Sequence, residues 1–442
     1  MAYCNHLHNA VDKGCSLTLS EQIADIRRTK SNLMRKLFLL LLTLFFASSL
    51  VRAQVTSQRV FILDAKQLII TRQRIKKSDK ALTPALVKLE REARKALTSG
   101  PFTVVSKEVT PPSGDKHDYM SQAPYFWPDP QKANGLPYIR RDGERNPEID
   151  KINNHRVKDQ MEDAVETLAL AYYFTGDEAY AAKAAELLRA FFLDPSTLMN
   201  PNLQFAQGIP GINTGRGIGL IETRGLTRVV DAAGLLAGSK AWTESDQRGL
   251  ENWFGKFLQW MLESKNGRDE SAAKNNHGTY YDVQVVSFAL FVGKTDLVRQ
   301  ILQKAISKRI AVQIEPDGRQ PLELARTRGW GYSVGNLEGL MLLARLGENV
   351  GVDLWQYKTR DGRSIRKALE FLLPFAFGEQ KWPYQQLGEW PPQMLFPLIR
   401  RAAGHYTDAE FEMSLRKLPA LDDADRSNLL FDATVLRRGD SR

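Results

Sequence analysis

Val165-Glu166-Thr167-Leu168-Ala169-Leu170-Ala171-Tyr172-Tyr173-Phe174-Thr175-Gly176-Asp177 places Val165, Leu168, Ala169 and Tyr172 at i, i+3, i+4 and i+7. That spacing lines one face of an α-helix with apolar side chains. Gly176 ends the helix, and Asp177 can cap a second one in which Ala184, Leu187, Leu188 and Phe191 repeat the period. The unit is a helical hairpin, and it recurs. One turn falls at Gly238-Ser239, with Thr243 and Asp246 spaced for a capping-box-like start to the returning helix. Another falls at Gly293-Lys294-Thr295-Asp296. A further helix ends at Gly347, and its partner begins near Arg363 and runs to about Phe377. The last pair turns over Gly404 to Asp408. Upstream, Asp64 can cap a helix to about Lys76. Thr83-Pro84 reads as a cap followed by proline at the first helical position, starting a helix to about Leu97 that stops near Gly100-Pro101. Period-two alternation is scarce, so any strands should be short. Hairpins of uneven length with no tight internal repeat predict an all-α fold. An α/α toroid, an incomplete barrel of antiparallel hairpins, is the first reading and an open solenoid the alternative.

The 442 residues can bury a large core. Met34-Arg35-Lys36, the apolar run Leu37 to Leu50, and Val51-Arg52-Ala53 are the three parts of a secretion signal, with cleavage expected after Ala53. The run is short for a membrane span, so no stable membrane anchor is expected. Residues 1–33 read as an upstream extension from an early start codon, 34–53 as the signal, 54–433 as one domain and 434–442 as a disordered tail. Both cysteines, Cys4 and Cys15, precede the signal, which leaves the exported part without disulfides. A periplasmic or secreted location is expected. The formal charge is +10. Residues 1–53 hold seven Lys/Arg and three acids, so about +6 belongs to the remainder. That excess suits an acidic polysaccharide partner and equally suits an ordinary solvated surface. No nucleic-acid partner is expected.

Between the first helices and the hairpins lies Tyr119-Met120-Ser121-Gln122-Ala123-Pro124-Tyr125-Phe126-Trp127-Pro128, followed by Leu136-Pro137-Tyr138. A long loop rich in proline and aromatics is usually functional. Tyr125, Trp127 and Tyr138 are candidates to line a sugar cleft; the alternative for each is burial that pins the loop to the body. Two stretches carry the densest chemistry: Lys274-Asn275-Asn276-His277-Gly278-Thr279-Tyr280-Tyr281 and Pro321-Leu322-Glu323-Leu324-Ala325-Arg326-Thr327-Arg328-Gly329-Trp330-Gly331-Tyr332. They supply an amide, an imidazole, a guanidinium and a phenol. Breaking a uronic-acid polymer by β-elimination needs that set. The substrate carboxylate must be neutralised, as Asn276 and Arg326 could do, and His277 and Tyr332 could then serve as base and acid. His277 sits at an expected loop-to-helix junction; His155, in a similar Asn-His pair, ranks second. Arg328 is a candidate to bind substrate, and Glu323 is expected to orient it or Arg326 through a bidentate pair. Arg216, in Gly215-Arg216-Gly217-Ile218-Gly219, could meet a carboxylate at a turn that lets backbone approach a ligand, or could lie in a glycine-rich helix entry. No metal motif is present and no cofactor is expected. A glycoside hydrolase would need two carboxylates across a cleft, for which Glu323 and Asp282 are the candidates. A non-catalytic glycan-binding protein could keep the aromatic loop without the Asn-His, Arg and Tyr set.

The blocks Asp118-Tyr119-Met120-Ser121, Pro124-Tyr125-Phe126-Trp127-Pro128, Gly135-Leu136-Pro137-Tyr138, Asp142-Gly143 with Asn146-Pro147-Glu148, Met199-Asn200-Pro201-Asn202 and Asn275-Asn276-His277-Gly278-Thr279 resemble the alginate lyase superfamily. Within it the chain is most similar to polysaccharide lyase family 38. The resemblance implies an α/α toroid and lyase activity on alginate or a related polyuronate, with Asn276, His277, Arg326 and Tyr332 at the motif positions. It also implies two geometries. Mannuronate and glucuronate carry the C5 proton and O4 on one face, so Tyr332 would be both base and acid. Guluronate carries them on opposite faces, so His277 would be the base. A tyrosine base needs a lowered pKa, which Arg326 nearby is expected to provide.

Overall fold

The computed structural model describes residues 59–431. The expectations for a secretion signal, an upstream extension and a disordered tail lie outside those residues. Among them the chain is helical, and the expected hairpins are present. Helices α1 (Ala65–Lys76) and α2 (Thr83–Ala96) are followed by the long loop. Then come α3 (Asn154–Thr175) and α4 (Glu178–Phe192), α5 (Leu226–Leu235) and α6 (Glu244–Glu263), and the short α7 (Lys265–Ser271). The remainder is α8 (Asn276–Phe291) with α9 (Thr295–Ala305), α10 (Gly329–Glu348) with α11 (Ile365–Ala376), and α12 (Phe396–Ala402) with α13 (Ala409–Arg416).

The caps follow the sequence closely. Asp64 accepts from the backbone N–H groups of Lys66 and Gln67. Gly176 takes a left-handed conformation (φ 79°) that ends α3, and Asp177 caps α4. Thr243 and Asp246 form a full capping box. One cap differs: Thr83 is already inside α2, with Leu82 at the cap position. A 3₁₀ turn over Lys80–Leu82, capped by Asp79, carries the chain into the helix one residue early.

Helices α3, α5, α8 and α10 pack successively as an inner layer, with their hairpin partners outside. This is the α/α toroid. Strands are short: β1 (Met120–Gln122) pairs in parallel with β4 (Phe205–Gly208), and β2 (Phe126–Trp127) pairs antiparallel with β3 (Ile139–Arg140). Both small sheets belong to segments that lie over the helical body, and they carry the loop toward the site.

Helix α8 is central. Val283, Val285, Val286, Phe288, Ala289, Leu290 and Phe291 are all buried, and so are its polar Thr279, Asp282, Gln284 and Ser287, so the helix is enclosed on every face. Of its residues only His277 is not buried.

The segment 59–64 forms a strap across the ends of the inner helices. Buried Asp231 of α5 accepts from the backbone N–H groups of Phe61, Ile62 and Leu63 at 2.7, 3.0 and 2.7 Å. Arg345 of α10 donates to the Ile62 and Leu63 carbonyls, Asn349 to that of Phe61, and Arg59 to that of Phe291 at the end of α8. Replacing Asp231 with alanine strands three N–H donors at once. The expected cost is about 3 kcal/mol, because donors left without a charged acceptor bear the full desolvation penalty. Urea unfolding checks this: the midpoint should fall clearly while catalytic constants of the folded fraction stay unchanged.

Candidate active site

Four local devices hold the Asn276-His277 turn. Arg309 lies beneath it, donating to the Ser271 and Ala273 carbonyls at the end of α7 while gripping Asp282 at 2.8 and 3.1 Å. Gly278 rests on this guanidinium, and a Cβ there would collide with Arg309 and the Ala273 carbonyl. Gln313 donates to the Asn275 carbonyl, and its own side-chain oxygen accepts from Thr279 and Asn336. Glu323 accepts both from the Asn276 backbone N–H at 2.6 Å and from its side-chain Nδ2 at 2.7 Å. Glu270, at the end of α7, meets His277 Nδ1 at 2.8 Å.

These contacts decide what each group presents. Glu270 is 1% exposed. With its oxygen on Nδ1, it selects the tautomer carrying the proton there and leaves Nε2 as the free lone pair. Asn276 spends one amide N–H on Glu323, and none of its protein bonds uses the other. Burial pushes the Glu323 carboxyl up, opposed by the two N–H bonds from Asn276.

The second half of the site joins α10 to the long loop. Arg326 donates through Nε and Nη2 to Asp142 at 3.1 and 2.7 Å. Its Nη2 also donates to the Tyr332 phenol at 2.8 Å, and its guanidinium lies 3.8 Å from that ring's centre. The Tyr332 hydroxyl donates onward to the Tyr125 hydroxyl at 3.1 Å. Burial works against ionisation of Asp142, but the bonds and charge of Arg326, with those of Thr327, hold its carboxyl well below the usual range. The pair therefore stays charged through ordinary pH. Arg326 Nη1 carries no protein bond.

Several expectations change here. Glu323 does not orient an arginine; it grips Asn276, and Asp142 from the long loop takes the arginine instead. Sequence reading missed that role, although Asp142-Gly143 was among the blocks noticed. The Tyr332 phenol is not lowered by Arg326. Burial, reinforced by the bond to Tyr125, pushes it up and outweighs the guanidinium. The resting phenol is protonated. Both hydrolase candidates are committed, Glu323 to Asn276 and Asp282 to Arg309, so neither is a free catalytic acid.

Of the candidate binding residues, Tyr125 is part-buried against Tyr332. Trp127 bonds the Glu144 carbonyl at 3.0 Å and lies under Arg141. Tyr138 donates to Glu148 at 2.7 Å, which pushes its phenol up to about 12. These two aromatics brace the loop itself. Arg328 is exposed, with its backbone bridged to Gln386. His155 is solvent-facing and paired with Asp159, away from this cluster. The glycines around Arg216 serve close packing against protein rather than ligand: a Cβ on Gly215, Gly217 or Gly219 would strike Gln204, Asn266 or Ala206. The segment enters a 3₁₀ helix over Gly217–Thr223.

The alginate lyase family model matches residues 103–382, more than half of the chain. A crystal structure of an alginate lyase from Bacteroides ovatus is 41% identical, with a TM-score of 0.82, over 85% of this chain and 100% of that one. Alginate lyase A1-III of Sphingomonas species A1, as a tyrosine-to-phenylalanine variant complexed with tetrasaccharide, shares the fold at 15% identity. Its TM-score is 0.52 over 86% of this chain and 96% of that one. A search of curated proteins finds no match. Among the described residues no helix is long and apolar enough to cross a membrane. Ring, loop and sequence converge on one group of polysaccharide lyases, and the chain belongs to the alginate lyase family.

Proposed function

We propose that this lyase cleaves alginate, or a closely related polyuronate, by β-elimination between C4 and C5. Asn276 and the free Nη1 of Arg326 take the carboxylate of the residue being cut. That interaction spreads the charge that builds as the C5 proton leaves. Tyr332 delivers a proton to the departing O4. On uronates whose C5 proton and O4 share a face, Tyr332 serves both steps: it first gives its resting proton to solvent, then takes the C5 proton as the phenolate and hands that proton to O4. On guluronate the free Nε2 of His277 lies ready as the base. The product carries a C4–C5 double bond on its new non-reducing end.

The observation that carries this reading is the 2.8 Å bond from Arg326 Nη2 to the Tyr332 oxygen. A donor already aimed at the phenol stabilises the phenolate as it forms, although the resting group is protonated. That favours same-face elimination and hence mannuronate-rich alginate. Glucuronan has the same C4–C5 arrangement and is the second reading. Ultraviolet absorbance of the unsaturated product decides, with mannuronate-rich alginate, guluronate-rich alginate and glucuronan supplied separately. The expected order places mannuronate-rich polymer first. No absorbance on any of the three, from folded protein, would sink the proposal.

We further infer that residues 54–433 are one exported domain. The support is the signal-like segment 34–53 and the absence of cysteine after it. Mass spectrometry of protein recovered from culture medium or periplasm should find a mature chain beginning at Gln54.

A further inference from the structure

Arg216 is a guanidinium without a counter-ion in a place where one is expected. It is part-buried, with its Cζ 5.1 Å from the centre of the Phe126 ring. Its protein bonds go to one residue: Nε donates to the Gln207 backbone carbonyl at 3.2 Å and Nη2 to the Gln207 side-chain oxygen at 3.0 Å. No carboxylate among the described residues lies within ion-pair distance of it.

The clamp is a strained one. Gln207 is buried and has φ at +50°, a left-handed conformation that a glutamine adopts only when its surroundings enforce it. Its backbone N–H is held by Ser121 Oγ at 2.8 Å, and Ser121 in turn donates to Glu222. Strand pairing of β1 with β4 fixes both partners.

The neighbourhood joins the two halves of the site. Arg140, Glu222 and Glu270 all act on Arg216 through space, the arginine against its charge and the two carboxylates in favour of it. Arg140 pairs at 2.7 Å with the same Asp142 that holds Arg326, and Glu270 holds His277. Arg140 and Arg326 thus share one ion-pairing carboxylate, Asp142, and Arg216 pairs with none, although Glu222 and Glu270 act on it through space. Burial, and then Arg140, pull the Arg216 guanidinium below its usual value. A part-buried cation with no carboxylate in ion-pair contact is costly to the folded chain and is relieved by an anion that arrives from outside.

We propose that Arg216 receives the carboxylate of a second uronate, the neighbour of the one being cleaved, and so makes the enzyme demand consecutive acidic sugars. This rests on the polyuronate reading above. Gln207 is a positioning residue that aims the guanidinium; Phe126 supports it from beneath. Arg216 touches a residue that does not react, so its contribution is the same before and during elimination. It should act on KM and leave kcat alone.

The test compares wild type with Arg216→Met, Arg216→Lys and Gln207→Ala on the best polyuronate. Arg216→Met should raise KM at least tenfold, with kcat within about threefold of wild type. Its unfolding temperature should be unchanged or higher, because a charge without a partner has been removed. Arg216→Lys should recover part of the loss, and Gln207→Ala should raise KM severalfold while the cation remains. Should Arg216→Met fail to fold, Gln207→Ala and Arg216→Lys carry the test. A wild-type KM in the variants overturns the proposal, as does a fall in kcat with KM unchanged. If wild type cleaves no polyuronate, the functional reading fails. Calorimetry with saturated tetramannuronate then judges Arg216 separately. Binding at least tenfold weaker in Arg216→Met upholds it; equal affinity, or no binding to wild type, overturns it.

Discussion

Tyr332→Phe should lose at least about a thousandfold in kcat while keeping KM within a few-fold. In the proposed mechanism the Tyr332 phenol is the group that delivers a proton to O4. Removing its oxygen also removes the acceptor for Arg326 Nη2 and the donor to Tyr125. Phenylalanine keeps the ring under the guanidinium, so the 3.8 Å packing survives and the fold should be intact. Initial rates by product absorbance, alongside circular dichroism, separate lost chemistry from lost structure. Near-wild-type turnover in a folded variant would remove Tyr332 from the mechanism. Running His277→Ala on mannuronate-rich and guluronate-rich polymer in parallel asks which base is used. A loss confined to guluronate places His277 as base there, and equal losses make it part of substrate binding.

A second large effect is expected far from any reacting atom. Glu323→Gln should lower kcat by roughly a hundredfold, although Glu323 faces Asn276 rather than the cleft. Its two oxygens accept two N–H bonds from one residue, 2.6 and 2.7 Å long. Glutamine offers one oxygen and an NH₂ group that confronts a donor. Asn276 must then turn, either at its backbone or at its amide, and the N–H that we propose meets the substrate carboxylate leaves its position. Interactions that strengthen only as charge builds are lost from kcat first. Glu323→Asp retains two acceptor oxygens on a shorter side chain and should restore part of the rate. If Glu323→Gln matched wild type, the amide would not be the group that neutralises the carboxylate.

The readability of this chain from sequence tracks how local each interaction is. Asp64, Gly176, Asp177, and Thr243 with Asp246 act within a turn of their own position. Periodicity and capping chemistry are enough to find them. The motif residues Asn276, His277, Arg326 and Tyr332 stood out because two short stretches concentrate them. What stayed hidden is pairing across the fold. Asp142 lies 184 residues from Arg326, and nothing near it says which arginine it meets. Glu323, three residues before Arg326, looked like that arginine's partner, yet the turn at Pro321–Leu324 sends its side chain to Asn276 instead. The direction of the Tyr332 shift was likewise out of reach. It depends on whether burial or Arg326 dominates, and burial is a property of the packed ring.

The strap over residues 59–64 has a consequence for how this protein comes into being. Its acceptors and donors sit 168 to 288 positions further along the chain. A polypeptide made or threaded across a membrane from its beginning therefore presents this segment long before Arg345 and Asn349 exist to receive it. Closing so long a loop is slow, and contacts this distant are not rewarded until most of the ring is assembled. The first of the described residues to emerge are thus among the last to be fixed. Their seating marks the moment at which assembly is complete.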